Sequence, residues 1–136
     1  MKKVVIIAVL LFSILINAQG LKPNANHIKD NYPIEYKNTI RKHAIEEWGE
    51  DFSMVIYEIN KQSEALANII KTFKGSNTNT VFRAIQEWSI DGYKEKNVKI
   101  FKSMNTFDYQ SLLKMHCDWS MVKYEYDKQI KAKKSF

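Results

Sequence analysis

Turn-forming and cross-linking residues are scarce in this chain. Its 136 residues include four glycines, two prolines and one cysteine. A β-rich fold needs turn residues at every hairpin, so the shortage favours long helices. A single cysteine, Cys117, cannot close an internal disulfide. It is either a buried, inert thiol or one that pairs between chains, and burial is the commoner state. Several signatures are also missing. There is no Gly-x-Ser-x-Gly, no His-Glu-x-x-His, no paired Cys-x-x-Cys and no Glu-x-x-His, which argues against the hydrolases, zinc sites and di-iron bundles built on them. Gly49, Gly75 and Gly92 stand too far apart for a phosphate-cradling loop.

What is present begins with a three-part N-terminus. Lys2 and Lys3 precede a run from Val4 to Ile16 whose one polar residue is Ser13, and Asn17-Ala18-Gln19 then turns polar. This is the pattern of a secretory signal peptide cleaved after Ala18, and the apolar run is short of the about 20 residues of a membrane span. With no cysteine near the cut, no lipoprotein anchor is expected, and the mature chain is expected to be secreted or periplasmic. Loss of Lys2 and Lys3 lowers the net charge from +6 to +4, which the four lysines at 128, 131, 133 and 134 account for. The body is balanced and only the tail is basic, so no nucleic-acid partner is expected. The tail is suited to an envelope protein or an anionic surface, with Phe136 inserting, or to simple solubilisation at a helix end.

The expected organisation is a signal peptide over 1–18, an irregular lead-in over 19–32 and a helical domain over 33–136. Three tryptophans, seven tyrosines and seven phenylalanines can fill a core. A first helix runs from Pro33 to Trp48, with Ile34, Ile40, Ala44, Ile45 and Trp48 near one face, and Gly49 ends it. Asp51 is placed to cap a second helix, whose stripe is Phe52, Ile59, Leu66 and Phe73, with Val55, Ile56, Ile69 and Ile70 between and Glu58, Lys61, Glu64 and Lys71 mostly off it. Residues 75–79 form a loop, and a third helix spans about Thr80 to Trp88. Asp91-Gly92 is a turn. Tyr93 to Met104 suits either period and is assigned helix on context. A last helical stretch from Asp108 to Ala132, interrupted near Asp118, carries Leu112, Met115, Trp119, Val122, Tyr126 and Ile130.

The most specific feature is an internal repeat. Residues 51–62 read DFSMVIYEINKQ and residues 118–129 read DWSMVKYEYDKQ, identical at eight of twelve positions. A shorter echo pairs Ala44-Ile45-Glu46-Glu47-Trp48 with Ala84-Ile85-Gln86-Glu87-Trp88. Trp48, Trp88 and Met115 each stand three residues before an aspartate, at Asp51, Asp91 and Asp118. The unit is an apolar anchor, a break, a capping aspartate and an amphipathic helix. One such unit cannot bury its own stripe, whereas two can. The pattern resembles a short repeat of small uncharacterised bacterial proteins: tryptophan, then aspartate and an aromatic, then methionine and glutamine. The resemblance covers roughly Ile40 to Leu66 and Leu112 to Gln129, and the middle unit departs from it after Asp91. It implies a helical fold and no established activity. The fold expected is therefore all-α, a bundle of four or five helices built from two helical hairpins.

Four constellations compete with that structural reading. Glu46, Glu47, Glu50 and Asp51 surround Trp48, and a carboxylate pair beside a sugar-stacking ring could hydrolyse a cell-wall glycan. The alternative role is a solvated helix end with a cap. A concave, exposed carboxylate pair would favour the enzyme, and a buried Trp48 with outward carboxylates the binding module. His43 and Glu47, at i and i+4, could share a metal. His116-Cys117-Asp118 are consecutive and so point in different directions, while His27 and Asp30 lie in the lead-in. Cys117 could act as a nucleophile with His43 or His116 as base. The residues favour a non-catalytic binding or envelope-associated module, with no catalytic, metal or cofactor residues assigned. The exported hydrolase is the alternative.

Overall fold

Few glycines, aspartate caps at Asp51 and Asp118 and 3.6-residue apolar spacing give a chain in which the described residues are mostly helical. The computed structural model describes residue 29, residues 31–104 and residues 109–136. The expected signal peptide and most of the lead-in, with His27 and Asp30, lie outside the described residues. Six α-helices follow one another among them: α1 (Ile34–Trp48), α2 (Phe52–Thr72), α3 (Thr78–Glu87), α4 (Lys94–Lys102), α5 (Tyr109–Leu112) and α6 (Trp119–Lys134), with a 3-10 turn at Gly75–Asn77 before α3. The only β-type pairing among the described residues is an isolated antiparallel bridge between Ser89 and Cys117. No helix among the described residues is long and apolar enough to cross a membrane. The stretch expected from Asp108 to Ala132 is two helices, α5 and α6, separated by residues 113–118.

The chain divides into two units, Met1–Ala67 and Asn68–Phe136, and the boundary falls within α2. In the first, Pro33 stands immediately before α1 with φ −59°, and its carbonyl accepts from the Lys37 N–H at 3.1 Å. Gly49 closes α1 at φ +57°, donating its N–H to the Ile45 carbonyl at 2.7 Å. A side chain at that φ would be strained, which is the use of glycine here. Tyr36, Ile40 and Ala44 form the buried face of α1. Ile34 and Ile45, expected on it, face outward at 48% and 43% exposure, since an i, i+4, i+8 row centred on Ile40 excludes them. Tyr32 belongs to the packing rather than to the lead-in. Its hydroxyl donates to the Ser63 carbonyl of α2 at 2.6 Å, and its ring lies 4.4 Å from that of Tyr36. Burial pushes both tyrosine hydroxyls well above the ordinary range.

The stripe of α2 is rotated from its expected place. Leu66 and Val55 are buried as the spacing predicts, but Phe52 and Ile56 are 70% and 60% exposed, whereas Glu58 is buried. A seven-residue repeat drifts by about 20° per heptad on a 3.6-residue helix, so Phe52 stands about 40° round from Leu66 and Ile56 farther still. Glu58 is carried inward on the opposite edge. Its Oε1 accepts from Gln62 Nε2 at 2.9 Å, and Oε2 lies 3.0 Å from Lys61 Nζ.

In the second unit α3 packs mainly against α6 and α4. Val81, Ala84 and Ile85 of α3 and Trp119, Val122 and Tyr126 of α6 are buried. So are Leu112 and Met115. Phe82 stacks on Phe101 with ring centroids 4.5 Å apart, which joins α3 to α4. The Tyr126 hydroxyl accepts from Asn77 Nδ2 at 3.2 Å and donates to the Thr72 carbonyl at 3.3 Å. It thereby ties α6 to the end of α2 and the 3-10 turn.

Candidate functional site

The repeat-related aspartates are built alike. Asp51 Oδ1 accepts from the Ser53 hydroxyl at 2.8 Å and from the Met54 N–H at 3.2 Å. Asp118 Oδ1 accepts from the Ser120 hydroxyl at 2.7 Å and from the Met121 N–H at 3.3 Å. An aspartate oxygen that takes the third N–H of the following helix is an N-cap, worth about 0.5–2 kcal/mol. One turn on, the two segments agree again. Gln62 donates to Glu58 at 2.9 Å, and Gln129 donates to Glu125 at 2.9 Å. They differ at the residue after the cap, where Trp119 is fully buried and Phe52 is 70% exposed.

The carboxylates around Trp48 point outward. Glu46, Glu47, Glu50 and Asp51 are exposed, while Trp48 is half-buried, with its indole N–H buried and without an acceptor among the described residues. Trp88 repeats that arrangement. Glu46 is engaged by Lys42 at 3.9 Å and by His43 Nδ1 at 3.3 Å, so the structure places the His43 ring against Glu46 as well as on the helix that carries Glu47. Both Glu46 contacts are solvent-screened and weak. Among the described residues no group of three or more His, Cys, Asp or Glu side chains could hold a metal ion.

Around Cys117 the structure assembles a polar cluster that the sequence did not announce. Asn97 is fully buried on α4. Its Nδ2 donates to the His116 carbonyl at 2.8 Å and to the Ser89 hydroxyl at 3.0 Å, and it lies 3.5 Å from Cys117 Sγ. Its Oδ1 accepts from the His116 N–H at 2.9 Å. One side-chain amide thus completes both backbone groups of His116, as a neighbouring strand would. The pairing continues through the Ile90 N–H to the His116 carbonyl and the Asp118 N–H to the Trp88 carbonyl, both 2.9 Å. The His116 ring lies flat on Tyr93, with centroids 3.9 Å apart and planes 8° from parallel.

This cluster is structural in its chemistry. Burial pushes the Cys117 thiol up to about 12, with the Asp118 charge adding to the shift and Ser89 opposing it. A thiol that stays protonated at neutral pH is a poor nucleophile, so the Cys117–His116 candidate lacks an activated thiol. The sequence signal for Asn97 was faint. It occupies an i+4 place between Tyr93 and Phe101, where an apolar residue fits the helix face. A polar side chain at such a place needs internal partners.

Nothing matches this chain among protein-family models, curated proteins or solved structures.

Proposed function

We propose that this is an exported protein, cleaved after Ala18, that acts as a non-catalytic binding or envelope-associated module built from two helical-hairpin repeats. The observation that carries the reading is the matched capping of Asp51 and Asp118, each accepting a serine hydroxyl and the N–H of a methionine. It gives Asp51, one of the carboxylates that a glycan hydrolase could draw on, a structural occupation. The outward Glu46, Glu47 and Glu50 and the inward indole N–H of Trp48 agree with it. The paired Glu–Gln braces support the repeat. The exposed Lys128, Lys131, Lys133 and Lys134 are the part of the surface that would seek an anionic partner.

Two measurements test this. The intact mass of protein recovered outside the cytoplasm should correspond to a chain beginning at Gln19; a full-length mass held in the membrane would mean an anchor. Incubation with cell-wall glycan should release no new reducing ends. Release that is abolished by Glu47→Gln or Glu50→Gln, with folding intact, would establish the hydrolase instead.

A further inference from the structure

The first two turns of α2 expose Phe52 and Ile56, which have no exposed apolar match in the repeat: Trp119 is buried and Lys123 stands in place of Ile56. Phe52, Ile56 and Tyr57 are 70%, 60% and 57% exposed, and Ile45, in the last turn of α1, is 43% exposed. At the matching place in α6 the aromatic Trp119 is fully buried, so the motif itself does not require an outward ring. Phe52 and Ile56 lie about 40° apart on the helix, and large exposed apolar side chains on one face mark an interaction surface. Just before this segment in sequence come Glu46, Glu47, Glu50 and Asp51, all exposed, with exposed Lys42 one turn before Glu46. At the other end of the chain, α6 ends in exposed Lys128, Lys131, Lys133 and Lys134 with no acidic residue after Asp127, beside exposed Tyr124 and a fully exposed Phe136.

We propose that the Gly49–Asp51 link and the first turn of α2 form a self-association surface, and that its occupant is the basic end of α6 of a second copy of this chain. The inference rests on the reading of the chain as a binding module whose tail seeks an anionic surface, and it names that surface. Charge complementarity selects the pair: exposed apolar side chains preceded by four exposed carboxylates meet an aromatic-tipped segment that carries four exposed lysines. Phe52 and Phe136 are both large apolar side chains exposed to solvent. The contact joins unlike patches, and a reciprocal two-fold dimer or a head-to-tail chain would each satisfy it. Salt weakens it, because the charges lie at its exposed rim.

The test is sedimentation velocity of the purified protein over a concentration series at low and high salt. Mass should rise with concentration at low salt and fall back at high salt. Glu47→Lys with Glu50→Lys should weaken association by about tenfold or more, and so should Lys131→Glu with Lys134→Glu. An equimolar mixture of the two variants should restore it, since the reversed tip of one then faces the reversed tail of the other. Restoration also shows that both variants are folded. A monomer at every concentration overturns the proposal. So does association that survives both charge reversals, or that Phe52→Ser leaves unchanged. Phosphatidylglycerol vesicles provide a separate arm. A monomer that binds them through its lysines refutes self-association while leaving the tail an anion-seeking surface, and a monomer that ignores them refutes both.

Discussion

Replacing Asn97 by alanine removes a buried side chain of α4 that bonds to both Ser89 and the backbone of His116. Two of its hydrogen bonds go to the backbone of His116. The His116 carbonyl keeps a second partner in the Ile90 N–H at 2.9 Å, so its loss is that of an ordinary hydrogen bond, about 0.5–1.5 kcal/mol. The His116 N–H loses its acceptor. A donor left unsatisfied in a partly buried place costs about 1–3 kcal/mol. Ser89 also loses a donor but keeps its bond to the Ile85 carbonyl. Together these give a destabilisation of about 2–4 kcal/mol for Asn97→Ala. Asn97→Leu should cost nearly as much, because it fills the space without answering either backbone group. Urea denaturation followed by tryptophan fluorescence would measure the loss. Amide hydrogen exchange at His116 and Asp118 would show whether it begins at the bridge. A change within about 0.5 kcal/mol, the range of ordinary surface substitutions, would refute the assignment of Asn97 as the fastening.

Three further outcomes follow from the packing and the caps. Leu66 is fully buried, so Leu66→Ala should cost about 2–5 kcal/mol in a denaturant titration. Asp51→Asn and Asp118→Asn should leave the melting temperature nearly unchanged, because asparagine accepts the same N–H, whereas either change to alanine should cost about 0.5–2 kcal/mol. An activity lost in Asp51→Asn with an unchanged melt would reveal a chemical role. The Cys117 thiol is raised from 9.0 to about 12, so the folded chain holds its proton where the unfolded chain has released it. The corresponding stability is complete below about pH 9 and is lost as pH rises toward about 12. Cys117→Ala should make the fall in stability between about pH 8 and about pH 10.5 less steep, and an unaltered slope would show that the thiol is not held neutral.

The helices were legible because they depend on local chemistry. Pro33, Gly49 and Asp118 mark ends that the structure reproduces, and α6 buries the Trp119, Val122 and Tyr126 row that its spacing predicts. Faces were less legible than elements. The seven-residue spacing of Phe52, Ile59, Leu66 and Phe73 suggested one straight stripe, but helical drift turns Phe52 and Ile56 outward and brings Glu58 in. The Glu58–Gln62 brace was present in the sequence as an i, i+4 pair repeated at Glu125–Gln129, yet composition alone marks glutamate as a surface residue. Asn97 was invisible for a different reason. Its partners lie 8, 19 and 20 residues away, and no periodicity reports a hydrogen bond between a helix side chain and a distant backbone. For the carboxylates near Trp48 the sequence supplied both readings. The caps and outward glutamates are what favour the structural one.

The burial of Cys117 also has a bearing on timing. The thiol is sheltered by segments that are distant in sequence, with Asn97 reaching it across 20 residues. No local helix protects it, so a newly made chain carries an open thiol until those segments meet. In oxidising surroundings protection is then a race between folding and intermolecular cross-linking, and the race is sensitive to chain concentration. Slower closure of the 88–90 and 116–118 pairing would appear first as covalent dimers, before any loss of the native state at equilibrium. A fastening can in this way govern, beyond its contribution to stability, how much of the chain reaches the native state with its cysteine intact.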